Sequence, residues 1–148
     1  MAKFAYKMQN ILNIKYRLED QAKQQFAAAQ NRLNEEEAHM SELQNRKLYY
    51  LKEGVEIRQN GLTVLKMKEN EYALKRADED IKAQQLQVKL AQRNLENARV
   101  KLAEATIERK THEKLRENAF EVFLKDLNAG EMKEIDELTS YTYGRNKE

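Results

Sequence analysis

The sequence predicts an all-α protein, a long antiparallel two-helix coiled-coil hairpin whose C-terminal helix projects beyond the N-terminus. Three observations carry this expectation. Proline is absent and glycine occurs only four times in 148 residues, so long stretches run without a helix breaker. Apolar residues recur at alternating spacings of three and four in two extended segments, the seam pattern of a left-handed coiled coil. Between those segments lies EGVEIRQNG, residues 53–61, a connection short enough to favour antiparallel neighbours.

The first helix is expected over about residues 4–53. Its seam reads Phe26, Ala29, Leu33, Glu36, Met40, Leu43, Lys47 and Tyr50. Upstream the apolar positions are Ile11, Leu18 and Ala22, where adjoining steps of four relax the supercoil as a stutter does. The turn is expected over 54–61, with Gly54 ending the helix and Asn60 beside Gly61 opening the next, because glycine readily takes the left-handed backbone of a helix end.

The second helix is expected over about 62–128. Leu74, Ala77, Ile81, Gln84, Val88, Ala91, Leu95, Ala98, Leu102 and Ala105 keep the heptad with only Gln84 polar. Matching the two seams pairs Leu33 with Ile81, Phe26 with Val88 and Ile11 with Leu102, all centred near residue 57. About 45 paired residues rising ~1.5 Å each would make a rod on the order of 70 Å long. This register sets Met1 opposite His112 and leaves the helix from Glu113 onward without a partner in its own chain. Glu36 and Lys47 then face Ala77 and Lys66 or Met67, which offer no ion pair.

In that overhang Leu115, Ala119, Phe123 and Leu127 recur at steps of four, flanked by Phe120, Val122 and Leu124. Each large apolar side chain gains roughly 1.5–3 kcal/mol on full burial, so the stripe calls for a partner. Three partners fit the pattern. A short or frayed C-terminal helix at about 131–143 could fold back after NAG, two copies could pair end to end, or another protein could receive the helix in a groove. In the last case Glu108, Arg109, Lys110, Glu113, Lys114, Arg116 and Glu117 would form charged rims that set orientation and association rate. A second surface lies at the hairpin tip, where Arg46, Tyr49 and Tyr50 combine large contact area with polar ends.

Composition narrows the function classes. The 27 basic and 25 acidic residues are interspersed, giving a net charge of +2 without a basic stripe, so no nucleic-acid partner is expected. Mean hydropathy is -0.94, no apolar run approaches the ~20 residues of a membrane span, and no signal peptide opens the chain. With no cysteine, a cytoplasmic protein without disulfides is expected. No phosphate-binding glycine loop, zinc-binding histidine pair or nucleophile elbow is present, so neither an enzyme nor a cofactor, metal or small-molecule substrate is expected. The histidines, His39 and His112, are far apart, and the acidic run at Glu35, Glu36 and Glu37 fans around a helix instead of converging.

The opening FAYKMQNILNIKYRLEDQAKQQFAAAQNRLNEEE and the late ERKTHEKLRENAFEVFLKDLNAGEMKEIDEL resemble the flagellar export protein FliJ family, and the intervening hairpin has the right length. The resemblance implies a stalk-like antiparallel coiled coil that couples and escorts and performs no chemistry. Its implied partners are the hexameric flagellar export ATPase, the export gate protein at the membrane, and substrate chaperones. The implied location is cytoplasmic, peripheral to the inner face of the cell membrane at the flagellar base. Arg109, Lys110, Lys114, Leu115 and Arg116 match the family's late block and are the implied ATPase-facing residues; Phe120, Phe123 and Leu127 join them from the apolar stripe. The tip residues Arg46, Tyr49 and Tyr50 are candidates for the gate or a chaperone. Stalk proteins of virulence-type secretion systems share the shape, and a homodimerising coiled-coil spacer is the alternative of a different class.

Overall fold

The computed structural model describes residues 3–61 and 63–146, without the side chains at 143, 145 and 146. Two long helices make up the described fold: α1, Gln9–Gln59, and α2, Val64–Asn146. They pack against each other and no strand occurs among the described residues, so the fold is the all-α helical hairpin that the two seams predict. By contacts the chain forms two compact units, Gln21–Ala103 and the combination of Met1–Asp20 with Glu104–Glu148.

In the unit Gln21–Ala103 the expected seam is the buried face. The eight positions from Phe26 to Tyr50 on α1 and the nine from Leu74 to Leu102 on α2 are all buried or half-buried. Leu33, Leu43, Ala77, Gln84, Ala91 and Ala98 are the fully buried ones among them. Small alanines at Ala77, Ala91 and Ala98 let the helices approach closely.

The turn lies later than expected. α1 passes through Gly54 and ends at Gln59, and the backbone reverses at Gly61, whose φ of +64° is the left-handed value that glycine tolerates. Thr63 then caps α2, its hydroxyl accepting from the Lys66 N–H at 3.4 Å. Leu62, the expected first residue of the second helix, lies outside the described residues.

Gly54 serves a different purpose from the one its residue type suggests. It is a buried helical position against Asn70: a Cβ built there would sit 2.6 Å from the Asn70 Oδ1. That close approach lets the Asn70 Nδ2 donate to the Tyr50 carbonyl at 2.8 Å. One exposed glycine in a helix costs only about 1 kcal/mol relative to alanine, which packing readily overrides.

The displaced turn moves the register. Asn70 on Tyr50 and Gln84 on the Glu36 carbonyl are both pairs centred on residue 60, where the sequence expectation was 57. The difference moves each facing residue by roughly one heptad, so the seam positions survive while their partners change. Glu36 and Lys47, which the expected register left without an ion pair, gain polar partners here. Glu36 receives the Gln84 Nε2 and its carboxylate meets the Arg32 guanidinium at 2.8 Å, and Lys47 reaches the Asp78 carboxylate at 2.7 Å.

The unit made of Met1–Asp20 and Glu104–Glu148 departs further from expectation. α1 begins at Gln9, and residues 3–6 are not helical. Ile11 and Leu18, expected in the seam, are exposed; Leu12, at 2% exposure, and Glu19, at 5%, are buried in their place. Leu12, half-buried Lys15 and Glu19 simply continue the alternating spacing, so the expected stutter is absent. The apolar reading stepped aside to the nearest hydrophobic residues because two true seam positions here are charged.

At the other end, α2 runs unbroken through Gly130 to Asn146, and so the expected stop at 128 and the separate helix over 131–143 are replaced by one continuous helix. No side chain lies within 4 Å of a Cβ built on Gly130, and its neighbours Glu131, Met132 and Lys133 are good helix formers. Met132, Ile135 and Leu138 are exposed, so this segment does not fold back.

Candidate functional site

The charge-rich stretch of α2 beyond Glu104 holds a polar ladder and, past it, an aromatic seat. In the ladder the Lys15 Nζ meets the Glu108 carboxylate at 3.3 Å. The Arg109 guanidinium bridges two carboxylates at 3.0 Å each, Glu19 through Nε and Glu113 through Nη1. The Tyr16 hydroxyl donates to Glu113 at 2.6 Å. Between these groups the ring of His112 is largely covered, its Nε2 lying 3.7 Å from the Glu108 carboxylate. Its Nδ1 is buried and finds no hydrogen-bond partner among the described residues.

These contacts explain the titration behaviour. The Tyr16 hydroxyl, and after it Arg109, holds the Glu113 carboxyl below the usual carboxylate value. The same hydrogen bond to Glu113, with burial second, raises the Tyr16 hydroxyl above the usual tyrosine value. Hydrogen bonds from Arg109 to Glu19 and then to Glu113 raise the guanidinium value.

A pH window follows from the signs. A carboxylate with a depressed folded value contributes stability that is fully present above about pH 4.3 and lost as pH falls through that lower value. A tyrosine with a raised folded value contributes below about pH 10 and loses its contribution as pH rises through the raised value. The melting temperature of Tyr16→Phe should therefore lie below that of the unmodified chain by a constant amount between about pH 5 and 9, with the gap closing on both sides. The gap will be small, because the pair is solvent-accessible and screened. Thermal melts followed by circular dichroism across that range check it, and a gap persisting at pH 2 would remove Glu113 as its cause.

Beyond the ladder Phe4 lies against α2, with ring centroids 5.0 Å from Phe120 in an edge-on contact and 5.5 Å from Phe123. The Arg116 guanidinium sits over the Phe4 ring, 5.7 Å from its centroid, a cation–π contact. The expectation that α2 has no partner in its own chain from Glu113 onward is therefore corrected: Tyr16 engages Glu113 and Phe4 engages Phe120 and Phe123. The later turn is the physical reason, since it brings the N-terminal segment further along α2. Met1, expected opposite His112, lies outside the described residues.

The structure sorts the candidate residues by availability. Lys110 and Leu115 are exposed, and Lys114 is exposed with its Nζ 3.3 Å from the Glu117 carboxylate. Phe120 is 42% exposed, while Phe123 and Leu127 are half-buried. Arg116 is drawn over Phe4, and Arg109 is turned into the seam and ion-paired at both ends. At the tip, Arg46 and Tyr49 are exposed, and Tyr49 meets the half-buried ring of Tyr50 edge-on at 5.6 Å. Sequence reasoning missed Phe4, Tyr16 and Glu19. Counting the heptad back from Ala22 regardless of polarity would have found Glu19; Phe4 carries no periodic signal.

Among the described residues no group of three or more acidic or histidine side chains could hold a metal ion, and no helix is long and apolar enough to cross a membrane. What the geometry defines is a helical hairpin with a continuous terminal helix carrying exposed basic and apolar side chains. The chain belongs to the flagellar FliJ protein family, whose model matches residues 4–148. Membership places it among the components of flagellar protein export. Among solved structures, a YscO homologue from Chlamydia trachomatis is similar in fold, with 24% identity, a TM-score of 0.63 and 98% of each chain covered. No curated protein matches the sequence.

Proposed function

We propose that this chain is the stalk-like coupling and escort component of the flagellar type III export apparatus, acting in the cytoplasm at the inner face of the membrane. In this reading the terminal part of α2 enters the hexameric export ATPase, and the tip around Arg46, Tyr49 and Tyr50 meets the export gate or substrate chaperones. The observation that carries it is the exposure of Lys110, Lys114, Leu115 and Phe120 on a helix that continues to Asn146. Exposed apolar side chains rimmed by lysines give a helix both burial energy and a long-range charge bias toward a partner. Arg109 acts from behind this surface, fixing the helix against α1 through Glu19.

The test uses Lys114→Glu with Leu115→Glu. Both side chains are exposed, so helicity and thermal midpoint stay within the range of ordinary surface changes, about 0.5 kcal/mol. Binding to the cognate export ATPase, read by surface plasmon resonance, falls at least about 100-fold, since losing a hot-spot anchor costs 2 kcal/mol or more and charge reversal adds to it. Swimming motility of a complemented deletion strain is lost with it. Unchanged affinity in a folded variant would reject this face as the docking surface.

A further inference from the structure

The aromatic face of α2 that the docking reading uses is already occupied. Phe4 fills it from a segment, residues 3–8, that has no helical backbone before Gln9. Its attachment is slight. Among the described residues, the backbone contacts that tie it to α1 are the Gln9 N–H to the Tyr6 carbonyl at 3.1 Å and the Leu12 N–H to the Met8 carbonyl at 3.1 Å. Lys3, Ala5 and Lys7 are exposed. The hold on α2 therefore comes chiefly from one ring, backed by Tyr6 stacked at 6.5 Å.

We propose that the seat formed by Arg116, Phe120 and Phe123 is an exchangeable anchor site. In the free chain the 3–8 strap fills it with Phe4; in the complex an aromatic side chain of the partner takes it and the strap is released. The proposal rests on the docking reading above for the identity of that partner. An aromatic anchor is specified by the contacts themselves: one ring met edge-on, a second ring tilted against it, and a guanidinium positioned to lie over a π-face. Exchange is favoured because the seat is incompletely closed, with Phe4 and Phe123 half-buried and Phe120 still 42% exposed. A partner that covers these rings more fully gains area the strap leaves in water. The strap lowers apparent affinity by the fraction of time the seat is open, which keeps the apolar face covered until the right partner arrives.

The chain has no tryptophan, so Phe4→Trp places a single fluorescent reporter in the seat. In the free full-length chain its emission should be that of an apolar site and resist acrylamide quenching. Adding Phe120→Ala and Phe123→Ala should move it to the solvent value at unchanged helicity, and so should saturation of the reporter chain with the export ATPase. Phe4→Ala should bind that ATPase about tenfold more tightly. Solvent-like emission in the free chain, a further blue shift on complex formation, or weaker binding by Phe4→Ala overturns the proposal, the last two because they make the strap part of the interface. If the ATPase binds neither form, the docking reading fails, and the seat is judged on the free chain by the apolar dye ANS. A several-fold rise in ANS binding on Phe4→Ala supports an exchangeable seat, and no rise rejects it.

Discussion

Gly54→Leu will destabilise the hairpin by about 2–6 kcal/mol, read as a lower urea midpoint. The Cβ of any side chain at this position falls 2.6 Å from the Asn70 Oδ1 and 3.3 Å from its Cγ. Asn70 is 8% exposed and holds the Tyr50 carbonyl, so it has little room to turn away. Overpacking a filled site costs typically 1–3 kcal/mol. Driving the amide off its acceptor leaves buried polar groups unpaired, at about another 1–3 kcal/mol. Asn70→Ala in the same chain removes the obstacle and should return most of the loss, so the two substitutions couple strongly in a double-mutant cycle. Gly130→Ala reverses the sign. Nothing lies within 4 Å of its Cβ, and the change should stabilise by about 0.5–1 kcal/mol through backbone entropy and helix propensity. A loss at Gly54 no greater than at an exposed helical position would show that the Asn70 contact does not constrain the turn end.

The contrast between these glycines shows what was legible in the sequence. Periodicity is a local property, and it located the seam from Phe26 to Tyr50 and from Leu74 to Ala105 because each position reports only its own spacing. A glycine reports less. Gly61 supplies a positive φ, Gly54 a close approach and Gly130 neither, yet all three look alike until a partner is known. The apolar seams alone match when centred near 57, and reading Gly54 as the helix end agreed with that register, so nothing local in the sequence exposed the displacement of the partners assigned to each seam residue.

The charged stretch around Arg109 misled for a related reason. A seam arginine is indistinguishable from a surface arginine unless the facing residue is known, and the facing residue depended on the register. With the turn at Gly61, Glu19 comes within reach of Arg109, and Tyr16 of Glu113. The heptad, followed in the sequence only as far as Ala105, continues as polar seam positions that pair across the helices. Of the proposed docking face, Leu115 and Phe120 were legible as an apolar stripe; its coverage by Phe4 was not, because a single ring in a non-helical segment has no pattern to announce it.

Replacing both buried amides, Asn70→Leu with Gln84→Leu, will leave the chain helical but no longer confined to one register. The apolar positions of the two seams match well when centred on 57, as the sequence alone suggested, and again when centred on 60, as observed. The two alignments differ by about one heptad, which returns every apolar side chain to an equivalent seam position. Polar layers separate them. Centred on 60, Asn70 reaches the Tyr50 carbonyl and Gln84 reaches both the carbonyl and the carboxylate of Glu36. Centred on 57, the same amides face Leu43 or Gln44 and Ala29 or Gln30 and lose those acceptors, at roughly 1–3 kcal/mol for each buried amide left unpaired. Leucine at both positions erases that difference while adding apolar burial in either alignment. Absence of native cysteine allows spin labels at two exposed sites, Ala38→Cys and Lys82→Cys. Their distance distribution, single in the parent chain, should gain a second, longer population in the double leucine variant, because a one-heptad slip offsets the facing sites by ~10 Å along the axis. A single unshifted population in that variant would mean that the turn alone, through Gly61 and Thr63, sets the register.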